Sequence, residues 1–205
     1  MTQRRKLKVR VRPGKQQPTP TSTPTRRKRN LLQILRRRGW SVELAASVGK
    51  LLPATLAKRY PILPAGVEAF LTTLDICVSP NESAWFLTAR DFARKRGSGF
   101  HWNEIELMML EDAEGDPAQQ AEVRSFWDGH FPVMLAVHSD YDYLAIRLSD
   151  GAVVHGFAPE WGSSKVARSF AALLTALATE AETQRDRYPW KLFVGKSCVE
   201  DDPGT

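Results

Sequence analysis

Two strand-like runs meet at Asp150-Gly151, and that junction restricts the path of this chain more than any other dipeptide in it. Both residues tolerate the positive φ of a tight antiparallel reversal, so Asp-Gly between such runs is a strong hairpin signal. Before it, Leu144, Ile146 and Leu148 share one side and Tyr143, Ala145 and Arg147 the other, the period of a half-buried strand. After it, Ala152 to Phe157 is a second run of strand length. Val133 to His138 is a third, ahead of the polar cluster Ser139, Asp140, Tyr141 and Asp142. Beyond Pro159, Ser163 or Ser164 is suited to cap a helix on which Val166, Phe170, Leu173, Leu174 and Leu177 fall three and four apart. Residues 131–177 therefore predict three antiparallel strands and a helix that covers them. The fold class that follows is α+β, a central antiparallel meander flanked by helices.

The preceding residues supply those flanking helices. Ser41 can cap a helix to about Leu52 with Val42, Ala45, Val48 and Leu52 inward, and a short helix over 54–60 follows Pro53. Pro61 and Pro64 hold their neighbours extended. Ala65 to Leu74 then places Val67, Phe70, Leu71 and Leu74 on one helical face. After a loop at 79–83, Ala84 to Leu87 reads as a brief buried strand, and Thr88 with Asp91 resembles a capping arrangement for a helix to Arg96. Gly97-Ser98-Gly99 breaks it. Phe100 to Leu110 favours a helix, with a strand as the alternative. Asp116-Pro117 opens a further helix that carries Phe126 and Trp127.

Charge divides the chain in two. Of 29 Lys and Arg, fourteen lie in residues 1–38, where there is no acid; the remaining fifteen face all 23 Asp and Glu, so residues 39–205 carry a net charge of −8. Basic blocks around PTPTSTPT offer little apolar surface to offset ordering entropy. Residues 1–38 are thus expected to be a disordered basic tail, residues 39–195 one domain, and residues 196–205 a flexible C-terminus. The tail could contact nucleic-acid phosphates through Arg4, Arg5, Lys6, Arg26, Arg27, Lys28 and Arg29, or be a solvated extension. Leu31 to Leu35 is too short to span a membrane or to serve as a secretory signal, so a cytoplasmic location is expected. Cys77 and Cys198 show no metal spacing or disulfide framework.

No catalytic, metal or cofactor site is expected. His138, Asp140 and Asp142 alternate as ligands on an extended segment could, but they read better as a polar strand end and hairpin loop. Cys77 has no nucleophile signature around it, and the glycines form no phosphate loop. The carboxylates read better as a surface. Asp140, Asp142 and Glu160 interleave with Tyr141, Tyr143 and Trp161, and a second cluster runs from Glu104 to Asp116. Rings supply buried area and rim charges supply steering, so Asp140, Tyr141, Asp142, Glu160 and Trp161 are the candidate partner-binding residues.

The order of these features resembles the SUKH superfamily, the Smi/Knr-like proteins: Leu63-Pro64, Phe70-Leu71 on a helix, Trp85-Phe86 in a strand, the runs Tyr143 to Leu148 and Gly151 to Phe157, and Ser169-Phe170 opening the closing helix. The resemblance covers about residues 60–178. It implies helices around one antiparallel sheet and a protein that works by binding, in many bacterial members an immunity protein that neutralises a toxin, often a nuclease; other members are linked to cell-wall assembly. It departs from the family at Leu74 to Val78, where a Gly-containing turn is usual, at the acidic insertion Glu111 to Glu122, and in the basic tail. The expectation is a non-enzymatic binding protein with a basic toxin as partner, and the rival is a nucleic-acid-associated or scaffold protein working through the tail.

Overall fold

The computed structural model describes residues 24–95, 97, 99–137, 141–159 and 162–179, with side chains from Leu31 to Ala178. Strands β1 (Ser41–Leu44), β2 (Leu74–Val78), β3 (Ala84–Phe86), β4 (His130–Val137), β5 (Tyr141–Arg147), β6 (Val153–Ala158) and β7 (Ser163–Ala167) form one sheet in chain order, every neighbour antiparallel. The α+β class with a meander sheet is therefore the observed one. The helices are α1 (Pro24–Arg37), α2 (Ala54–Arg59), α3 (Val67–Leu71), α4 (Ala89–Ala93), α5 (Glu104–Asp112), α6 (Pro117–Gly129) and α7 (Phe170–Thr179). Among the described residues, no helix is long and apolar enough to cross a membrane.

Strand register decides which helices cover which face. Phe86, Met134 and Leu144 lie in one row across β3, β4 and β5, and Trp85, Leu135 and Tyr143 lie in the adjacent row, which points the opposite way. On the first face Phe86 meets Trp40 and Phe70, and Phe70 meets Phe170, so α3 and α7 pack there. On the second, Tyr143 meets Trp127 and Phe126 of α6. Residues 142–146 are in consequence all buried. The expectation of a half-buried strand fails because α6 covers the side that alternation assigned to water.

Tyr143 also explains a glycine. It pairs with Gly156 on β6, and a Cβ at Gly156 would stand 2.3 Å from the Tyr143 hydroxyl oxygen and 2.9 Å from the Gly162 carbonyl oxygen. Only a bare backbone lets the ring lie there. Around the covering helices, Arg59 of α2 forms a two-pronged pair with Glu106 of α5 (2.7 and 2.8 Å) and reaches Asp128 of α6 at 2.7 Å. Tyr60 donates to the Trp127 carbonyl at 2.9 Å. These bonds tie three helices to one another.

Several local predictions hold. The Asp150-Gly151 reversal joins β5 to β6, with Gly151 at φ 72° and Asp150 accepting from the Ala152 N–H. Asp116 caps α6 by accepting from Ala118 and Gln119, and the Asp91 carboxylate accepts from both the N–H and the hydroxyl of Thr88. Other expectations are overturned. Residues 41–52 form no helix: Ser41–Leu44 is edge strand β1, where Val42 pairs with Cys77, and Val48 of the supposed inward stripe is 74% exposed. Ser163 and Ser164 cap nothing, since they begin β7; the closing helix starts at Phe170 with the Ser169 hydroxyl accepting from Ala172. The domain does not begin at residue 39.

That last correction comes from α1. Leu31, Leu32 and Leu35 are buried in the core, α1 packs on α7 and β1, and the Arg36 guanidinium donates twice to the Val42 carbonyl (2.9 and 3.3 Å). The leucines are too few to show as a helix beside five arginines and a lysine, yet they join the core where α1 meets α7 and β1. Residues 1–23 and 180–205, including the expected C-terminal boundary, lie outside the described residues.

Two substitutions test this packing. Leu35→Ala should lower stability by about 2–5 kcal/mol in urea unfolding, because it opens a cavity in the core; a change near zero would return α1 to the tail. Gly156→Ala should cost about 1–3 kcal/mol through overpacking against Tyr143, and combining it with Tyr143→Phe should recover part of that loss.

Candidate protein-interaction surface

The face that α6 covers at Tyr143 is open two residues earlier. Tyr141 begins β5 between Val137 and Ala158, and its side chain is 39% exposed. Its ring stacks on Phe100 at 5.9 Å and 19°, and Phe100 meets Trp85 edge-on at 5.5 Å. Phe100 and Trp85 are each partly buried. The three rings make a ladder over β3 and β5, ordered by one another and by the sheet beneath.

The rim of this ladder is built locally. Val137 donates to the Ser83 carbonyl, which brings the 79–83 loop beside the end of β4. In that loop the Asn81 side-chain oxygen accepts from the hydroxyls of Ser79 and Ser83, both at 2.8 Å, and Ser79 Oγ accepts from the Ala84 N–H. Glu82 projects from the same turn and is exposed.

Next to Tyr141, Asp142 points into the protein. It is 1% exposed, and its Oδ1 lies 2.8 Å from Nε2 of His155 on β6. A carboxylate can only accept, so Nε2 carries the hydrogen. Asp142 Oδ2 has no hydrogen-bond partner among the described residues. This pair joins β5 to β6 immediately behind Tyr141, and so fixes the strand end that presents the ring.

The structure thus divides the predicted site. Tyr141 is on the surface as expected; Asp142 is not, and cannot contribute to an acidic face. Asp140, Glu160 and Trp161, together with His138, lie outside the described residues, as do Arg4, Arg5 and Lys6; Arg26, Arg27, Lys28 and Arg29 fall within α1. Of the second acidic cluster, Glu106 is paired with Arg59 and Asp116 caps α6, whereas Glu111, Asp112 and Glu114 are exposed. Phe100 and Trp85 were missed. Each reads alone as core, and nothing in the sequence shows that a residue after Gly-Ser-Gly reaches across to Tyr141.

Cys77 is enclosed, with its thiol pushed up to about 12 by burial, so it stays protonated at neutral pH. Among the described residues no group of His, Cys, Asp or Glu is arranged to hold a metal ion. Comparison with protein-family models, curated proteins and solved structures finds no match to this chain.

The buried and exposed members of the site should separate in unfolding experiments. Asp142→Ala should lose about 1–3 kcal/mol by removing the buried bond to His155, while Tyr141→Ala should change stability by less than about 1 kcal/mol. The reverse ranking would put Asp142 back on the surface.

Proposed function

We propose that this chain is a non-enzymatic protein-binding domain of SUKH type, a cytoplasmic immunity protein that covers a basic toxin. The ladder of Trp85, Phe100 and Tyr141 carries the reading. Its rings are packed against one another before any partner arrives, so association loses little side-chain freedom. Tyr and Trp are also among the residues that dominate interface energies when a partner excludes water from them. The net charge of −8 in residues 39–205 favours a cationic partner by steering, and a nuclease is the toxin class whose phosphate site a carboxylate surface can fill.

The order of elements supports the SUKH reading as well. Leu63-Pro64 precedes α3 with Phe70-Leu71; Trp85-Phe86 lies in β3; the reversal at Asp150-Gly151 leads to β6; and Ser169 caps α7. Leu74 to Val78, where the sequence departs from the family, forms β2 and extends the sheet instead of turning.

Co-expression with the product of a neighbouring toxin reading frame tests the proposal. The chain should rescue growth and form a complex; Tyr141→Ala with Phe100→Ala should weaken the complex about 30-fold or more, as hot-spot loss does, with the β5–β6 core still folded by circular dichroism. Rescue that the double variant leaves intact would eliminate this surface, and absence of any rescue would eliminate the immunity reading.

A further inference from the structure

A basic amphipathic helix has three common uses: it lies on an anionic membrane, it enters the groove of another protein, or it neutralises a polyanion. The first two need its apolar face. In α1 that face is already occupied, because Leu31 and Leu35 are fully buried and Leu32 is 5% exposed within the core. What α1 presents outward is therefore its polar side.

That side has a defined composition. Gln33 and Arg37 are exposed, and helical periodicity places positions 26, 29 and 30 on the same side as 33 and 37, giving Arg26, Arg29, Asn30, Gln33 and Arg37 in one row. From position 26 to 37 the row is about 16 Å long, which spans several phosphates of a duplex. Helix stability does not account for these cations. Arg26, Arg27, Lys28 and Arg29 stand in the first half of a helix with no acid in its first turn, where the macrodipole is positive and cations are unfavourable. Arg36 and Arg38 differ: they donate to the carbonyls of Val42 and Leu177 and hold the helix to the domain.

We infer that the outward row of α1 is a sequence-independent contact for the phosphate backbone of duplex nucleic acid, held rigidly on the domain by Leu31, Leu32 and Leu35. No aromatic residue occurs in α1, so it has no ring on which to stack an unpaired base, and the backbone of a duplex suits it better than a single strand. The seven basic residues between Arg4 and Lys15 lie ahead of the helix in the chain and add charge of the same sign. The remaining residues, net negative, repel the same polyanion, so binding is confined to the α1 side. This surface is separate from the aromatic ladder and does not rest on the immunity reading.

Fluorescence anisotropy of a labelled duplex of about 20 base pairs, titrated with the full chain between about 50 and 300 mM NaCl, tests it. The wild type should bind with a steep salt dependence. Changing Arg26, Arg29 and Arg37 together to Gln should weaken binding at about 100 mM NaCl by about ten-fold or more, and reduce the slope of log K against log salt by about 3. Changing Arg4, Arg5 and Lys6 to Gln in the full chain should leave a helix-dependent component. An unchanged melting temperature would show that the fold is intact in both. The proposal is overturned if the helix variant binds as the wild type does, if the tail variant alone abolishes binding, or if vesicles of anionic phosphatidylglycerol are bound more tightly than the duplex at equal salt.

Discussion

The ring of Tyr143, lying against the bare backbone of Gly156 and under Trp127, is the contact on which the rest of this structure depends. It lets α6 sit directly on the sheet, and α6 in turn holds α5 and α2 through Asp128, Glu106 and Arg59. Burial pushes the Tyr143 phenol upward, so it remains neutral and behaves as an aromatic wedge. One consequence reaches the candidate surface. Tyr141 and Tyr143 point to the same face of β5, two residues apart; α6 covers the second, and Phe100 stacks on the first, which stays 39% exposed. The aromatic ladder is thus the uncovered end of a core face.

Features governed by neighbours in sequence were legible. Asp150-Gly151, Asp116 ahead of Pro117, and Thr88 with Asp91 each need only residues within a turn, and each forms as read. Features governed by a distant partner were not. Val42 takes a strand conformation because Cys77 is opposite it, and Ser163 and Ser164 do so because Gly156 and His155 are. Local spacing favoured helix in both places, and pairing at the sheet edges outweighed it, as tertiary context does with weak propensities. The leucines of α1 were hidden for a related reason: three leucines among arginines bury only when the core has a place for them.

The candidate site was legible by residue type and illegible by direction. Tyr141 and Asp142 are adjacent, one aromatic and one acidic, and both suit an interface in composition. Once β5 extends to residue 141, alternation must send them to opposite faces. The acid goes inward to His155 and the ring goes outward to Phe100. A strand start misplaced by two residues therefore changes the chemistry of the surface, not only its outline.

Charge counts are subject to the same correction. The acidic balance of residues 39–205 includes Glu106, held by Arg59, and Asp142, held by His155, neither of which is offered to a partner. The basic balance of residues 1–38 includes Arg36 and Arg38, which are engaged with backbone carbonyls of the domain. Polarity survives the subtraction but shifts its address. Negative charge remains at the α5–α6 turn, in Glu111, Asp112 and Glu114. Positive charge remains along the outer side of α1, across the sheet from α6. The two charges thus sit on helices packed against opposite faces of the sheet, and salt screening over a Debye length of about 8–10 Å weakens their mutual attraction.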